Sequence, residues 1–301
     1  MRKILLALTA ELRRLKSNGV KTVPVSPETI ARLKAVVDAQ ASVQAATKPA
    51  EAVGPLTPAS PASPTPAAPV VPASRSVGVA PPKVTLPPGD KVSQMEWLRD
   101  RVLHDPVCRE RVRPGKQVVV GVGSLDAKIF FCGEAPGAEE EIQGEPFVGP
   151  AGQLLTRMIQ GMGLKREEVY IGNIMNWRPE LPTAPGREQE GNRPPTAEEL
   201  KYCLPFLEAQ LQIVNPQVIV ALGSTAAQGL LGVGSFKTLG EIRGRWKLFA
   251  ERPVMVTYHP SYILRNASNR SKRAIWEDLL KVMERVGLAI SEKQQRYFLE
   301  K

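Results

Sequence analysis

The spacing of apolar residues divides the chain into stretches of different character. Near the start, Ile4, Leu5, Leu8, Leu12 and Leu15 fall on one helical face that ends at Gly19. Ile30, Leu33, Val36 and Val37 repeat that spacing behind Ser26-Pro27-Glu28, which reads as an N-cap, a first-turn proline and an acid favoured by the helix dipole. A helical segment is therefore expected over 1–45. From Lys48 to Pro88 the periodicity is lost among Pro, Ala, Ser and Val, a composition that buries too little apolar surface to offset its ordering entropy. Residues 46–94 are read as a disordered Pro/Ala-rich linker.

After Trp97 the pattern becomes globular. Short unbroken apolar runs (Ile129 to Cys132, Val169 to Ile171, Val218 to Leu222, Val254 to Val256) alternate with helical periods (Leu154 to Met162, Leu200 to Val214, Ala226 to Leu231, Lys272 to Val286). Continuous apolar strands between helices predict a three-layer α/β/α domain over 95–290, built on a central four-stranded, mostly parallel sheet and followed by a tail over 291–301. In such sheets ligands collect at the carboxyl ends of the strands, so the residues after each strand are the ones to inspect.

Composition narrows the class. A formal net charge of +10 suits a polyanionic partner. Three cysteines at irregular spacing argue against a disulfide scaffold and for a reducing, cytoplasmic setting. No apolar run reaches the length of a membrane span. Met1 to Ala10 imitates a secretory signal, but Glu11, Arg13, Arg14 and Lys16 stand where a small-residue cleavage site belongs.

The first strand runs into Gly133-Glu134-Ala135-Pro136-Gly137, a tight turn with an acid at its tip. Glu134 there is either a solvated turn residue or a working carboxylate. Phe147, set between glycines and prolines without periodic partners, is either a stacking surface or a loop anchor. Asn173 closes the second strand and offers a donor and an acceptor together, the pair that reads a pyrimidine edge. The last strand leads into His259-Pro260-Ser261-Tyr262-Ile263-Leu264-Arg265, with a histidine suited to hydrogen bonding or charge stabilisation.

Taken together and in order, these segments resemble the uracil-DNA glycosylase superfamily, in the branch whose usual members hold an iron-sulfur cluster. The resemblance spans roughly Trp97 to Val286 and rests on two distant motifs, Gly133 to Gly137 and His259 to Arg265. It implies excision of uracil from DNA to leave an abasic site, the first step of base excision repair, by an enzyme that acts without a lyase step. It assigns the water-directing acid to Glu134, a further acid near the site to Glu140, and stabilisation of the departing base to His259. Ala135, Gly137, Phe147 and Asn173 become the uracil pocket. Ile263 or Leu264 becomes the wedge that fills the gap left by the flipped base, Arg265 and Ser261 reach phosphate, and backbone amides at Gly223-Ser224-Thr225 can do the same, with Ser224 also read as a helix N-cap.

The cluster ligands are incomplete. The branch uses four cysteines, whereas Trp177 stands at one of those positions and Asp105 or Pro106 at another, leaving Cys108 and Cys203. Two thiolates do not make the four-ligand site, so no cluster is expected and no other cofactor is implied. Trp177 is expected to fill the vacated volume, and Cys132 and Cys203 to act as core residues. The stretch Glu180 to Gly191 is a surface loop longer than the family's usual turn. The partner is uracil-containing DNA, bound by a monomer, with the N-terminal arm offered to a protein partner. The competing readings are a DNA-binding member of the fold without catalysis, and a glycosylase for another deaminated base such as hypoxanthine.

Overall fold

The structure, a computed structural model, describes residues 78–184 and 186–299. The helices expected over 1–45 and the linker up to residue 77 lie outside the described residues. Helices α1 (Lys91–Leu103) and α2 (Pro106–Arg111) precede strands β1 (Val122–Gly123) and β2 (Ile129–Gly133). Helices α3 (Glu140–Gln143) and α4 (Pro150–Gly161) then lead to β3 (Tyr170–Asn173), α5 (Ala197–Val214), β4 (Val218–Leu222) and α6 (Ser224–Leu231). The chain ends with α7 (Leu239–Ile242), β5 (Trp246–Phe249), β6 (Arg252–Thr257), α8 (Pro260–Arg265), α9 (Asn269–Arg285) and α10 (Glu292–Gln295).

The sheet has six strands in the order β1-β3-β2-β4-β6-β5. The four expected strands form its parallel centre, and β1 and β5 add antiparallel edges. The expectation of four strands missed these edges because β1 is two residues long and β5, Trp-Lys-Leu-Phe, is only half buried. Ala250 and Glu251, both at positive φ, make the turn that joins β5 to β6, as tight hairpins require.

Alternation along the strands separates two cores. Phe130, Cys132, Tyr170, Ile219, Ala221, Val254 and Val256 point to the face covered by α1, α5 and α6. Ile129, Phe131, Ile171, Val218, Val220, Leu222 and Met255 point to the face covered by α4 and α9. Register then aligns the carboxyl ends: Gly133 pairs with Asn173, Cys132 with Ala221, and Leu222 with Thr257. Every segment singled out for chemistry leaves the sheet at that one edge.

Two boundaries differ from the expectation. Helix α1 begins inside the stretch assigned to the linker, because Asp90 accepts from the Ser93 amide at 2.8 Å and Met95, Leu98 and Val102 bury one face. The segment set apart as a tail packs on α9: Trp276 donates to the Gln294 carbonyl at 2.6 Å, and the Tyr297 ring centroid lies 5.1 Å from that of Trp276. Among the described residues no helix is long and apolar enough to cross a membrane.

Candidate active site

Gly133, the last residue of β2, is required as glycine. A Cβ there would collide with Asn173 Oδ1 and with the Phe147 ring, which converge over it. Asn173 is buried, and its Oδ1 has no protein partner. An orphaned acceptor in this position is costly unless a ligand supplies the donor. Phe147 is buried at φ 55, a left-handed conformation that costs a non-glycine residue roughly 1–2 kcal/mol. Strain of this kind concentrates where function fixes a side chain.

Glu140 holds the loop that carries Phe147. One of its carboxylate oxygens accepts from the amides of Val148 and Gly149, both at 3.0 Å, and the other accepts from Gly137 at 3.0 Å. The carboxylate expected to act near the chemistry is thus fully engaged with backbone. Glu134 is not so tied down. Burial pushes its pKa above the ordinary carboxylate value, and a hydrogen bond from the Thr225 side chain partly offsets this.

His259 is the N-cap of α8, and its Nδ1 accepts from the Ser261 amide at 3.1 Å, with Ser261 Oγ 2.9 Å away. A backbone N–H can only donate, so Nδ1 is unprotonated and the neutral ring carries its proton on Nε2. Burial, and then the Arg265 charge, lower the His259 pKa to about 4. The ring stacks on Phe147, with centroids 5.6 Å apart and planes inclined by 30°. Further along α8 the helical turn separates the two wedge candidates. Ile263 is 6% exposed, inside the core, whereas Leu264 is 48% exposed. Ser224 is exposed as the first residue of α6, and Gly223, at φ 93, takes the N-cap place that had been read onto Ser224.

The cleft has two lobes. One, of about 380 Å³, is lined by Ala135, Gly137, Phe147, Asn173, Leu264 and neighbours. The other, of about 450 Å³, is lined by Glu134, Ser224, Thr225, Tyr258, Tyr262 and neighbours. Ala135, Asn192, His259, Ser261 and Arg265 line both. Asn192, the Thr225 side chain and the stacked pair Tyr258–Tyr262, with ring centroids 4.4 Å apart, were not among the expected site groups, since from Gly223 to Thr225 only backbone amides were expected to act. Only the position of Thr225 beside Ser224 could have signalled one of them.

A sequence profile of the Uracil DNA glycosylase superfamily matches residues 120–280. The chain is 42% identical to the Type-4 uracil-DNA glycosylase of Thermotoga maritima over 190 residues, which is 62% of this chain and 92% of that protein. It belongs to the type-4 branch of the uracil-DNA glycosylase superfamily. The type-4 enzyme of Archaeoglobus fulgidus is 36% identical over 214 residues, covering 68% of this chain and 98% of its own. The Type-5 uracil-DNA glycosylase of Pyrobaculum aerophilum is more distant, at 28% over 180 residues, 55% of this chain and 73% of its own.

The residues of this type-4 chain do not fit an iron-sulfur cluster. Cys108 and Cys203 are both buried, and two thiols are too few for a four-thiolate cluster site. Asp105 is engaged as well: it accepts from the Tyr202 hydroxyl at 3.0 Å and caps α2 through the Cys108 amide at 2.9 Å. Trp177 is buried there, with its ring 6.2 Å from that of Tyr202. Among the described residues no three His, Cys, Asp or Glu side chains are grouped to hold a metal ion.

Proposed function

We propose that this uracil-DNA glycosylase excises uracil in the cleft between Gly133 and His259, with Asn173 reading the base and Glu134 and His259 performing the hydrolysis. The observation that carries the reading is the unpartnered Asn173 Oδ1, buried beside the strained Phe147 ring. Uracil in its flipped position would lie against Phe147, donate N3–H to that oxygen, and accept from the amide's nitrogen.

Cleavage moves the electron pair of the C1′–N1 bond onto uracil, leaving positive charge on the sugar and negative charge on the base. Glu134 lines the neighbouring lobe, where an anion stabilises the sugar cation and accepts a proton as water adds to C1′. His259 Nε2–H donates to the uracil oxygen that gains charge. A neutral imidazole is the better match, since it stabilises the anion without a protonation step. Glu140 acts through the loop it holds. Leu264 takes the wedge role, and Ile263 supports it from the core.

Burial, with the Arg265 charge, is expected to keep the His259 ring neutral down to about pH 4. NMR titration of the ring in a His104→Gln background reads this directly, and a midpoint at or above 6.5 would remove the neutral donor from the mechanism. The ionised form of Glu134 is lost first on acidification, because its pKa is raised, so activity declines from the acid side before His259 charges.

The same reading holds that the enzyme carries no cluster, with Trp177 and Cys203 filling the space. Iron analysis of anaerobically purified protein is then expected to find none, whereas about four irons per chain would overturn it.

A further inference from the structure

An ion pair stands directly behind the loop that carries His259. Asp278, on α9, is 1% exposed, and Arg243, just after α7, donates from Nη1 to both of its oxygens, at 3.0 and 2.8 Å. The same nitrogen reaches the Ala274 carbonyl at 2.7 Å. Gly244 completes the fit: it lies at φ 70, and a Cβ there would press on the Asp278 carboxylate. Its amide donates to the Val256 carbonyl at 2.9 Å, which docks the Arg243-Gly244 turn on the end of β6.

The pair grips the two residues that precede His259. Thr257 is fully buried; its hydroxyl donates to Asp278 Oδ2 at 2.6 Å, and its carbonyl accepts from the Gly223 amide at 2.9 Å. Tyr258 lies under the Arg243 guanidinium, whose carbon is 5.2 Å from the ring centroid, and it stacks on Tyr262 of α8. His259 follows at once, so close to Gly223 that a Cβ on the glycine would meet its own Cβ at 3.1 Å. Replacing a buried ion pair by apolar residues is often neutral for stability, so a pair kept at a strand end beside the site points to a role in geometry. Asp278 supplies the acceptor that the buried Thr257 hydroxyl needs, and it neutralises Arg243, which then supports Tyr258 without adding net charge to the lobe that holds Glu134.

We infer that Asp278, Arg243 and Thr257 are positioning residues that set the direction in which His259 leaves β6, and with it the aim of its Nε2–H at the departing base. This rests on the role proposed for His259 above. None of the three lines either lobe of the cleft, so their effect on the reaction runs through His259. A preorganised donor works only while its geometry holds, and a misplacement of about 1 Å caused by a remote change can cost about 10²-fold in rate. The donor is worth more against the developing anion than against the uncharged base, so its misalignment falls on kcat and spares KM.

Thr257→Val removes the hydroxyl and keeps the shape, and Thr257→Ser returns the hydroxyl. On a uracil-containing oligonucleotide, Thr257→Val is expected to lower kcat by about tenfold or more, with KM within about twofold, and Thr257→Ser to recover most of the loss. The deciding arm is the His259→Ala background, where Thr257→Val is expected to change the remaining rate by less than about twofold, because no donor is left to aim. Arg243→Lys, at a partly exposed position, repeats the test from the other side of Asp278. A point-like ammonium cannot hold Asp278 and cover Tyr258 as the planar guanidinium does, so a kcat loss that vanishes without His259 is expected again. Melting curves establish that each variant is folded at the assay temperature. A folded Thr257→Val or Arg243→Lys protein with wild-type kcat, a Thr257→Ser loss equal to that of Thr257→Val, or a loss that persists undiminished without His259 would overturn the inference. If His259→Ala alone released uracil at the wild-type rate, the reading of the site beneath it would fail instead.

Discussion

Glu134→Gln is expected to lower kcat for uracil release by about 10² to 10⁴-fold while leaving binding of uracil-containing DNA intact. The substitution keeps size and hydrogen bonding to Thr225 but removes the charge that faces the sugar cation and takes the proton from water. It is also expected to raise the melting temperature. Burial opposes ionisation of Glu134 in the folded protein, so at neutral pH the carboxylate destabilises the fold relative to an uncharged amide. Activity lost while stability rises is the signature of a group kept for chemistry. A fall in both would make Glu134 a structural residue, and calorimetry beside a kinetic assay separates the two cases.

His259→Ala carries the second large effect. Removing one preorganised donor from a developing oxyanion costs about 10² to 10³ in kcat. Ser261 holds Nδ1 and burial keeps the ring neutral, so the donor is set before substrate arrives and no reorganisation is needed during the reaction. The loss is expected in kcat, measured by single-turnover kinetics, and not in affinity for a DNA duplex that lacks uracil. Weaker binding with unchanged single-turnover rate would place His259 in strand recognition instead.

The parallel centre of the sheet was legible because buried parallel strands are unbroken apolar runs, and the rule that ligands gather at their carboxyl ends pointed to the segments holding Glu134, Asn173 and His259, whose expected roles came from the family resemblance. The antiparallel edges were not legible: two residues of β1 and the mixed, half-buried β5 have no such signal. Within the site, residue type was readable but engagement was not. Glu140 looked like a second working acid, and only the fold brings three backbone amides to its carboxylate. Ile263 and Leu264 were equal candidates until the register of α8 turned one inward. Asn192 was hidden most deeply. Its side chain accepts from Arg178, which in turn meets Glu141, a pair 37 positions apart in sequence whose encounter no local pattern announces.

Arg265 and the exposed Leu264 both line the cleft. Hydrolysis of the glycosidic bond in this cleft is read by mass spectrometry of both products from a single-uracil oligonucleotide. Wild-type protein is predicted to yield free uracil and an unbroken strand carrying an abasic site with one water added at C1′, and Glu134→Gln to yield almost none. No free uracil from the wild type, a strand cut at the lesion, or equal release by Glu134→Gln would contradict it.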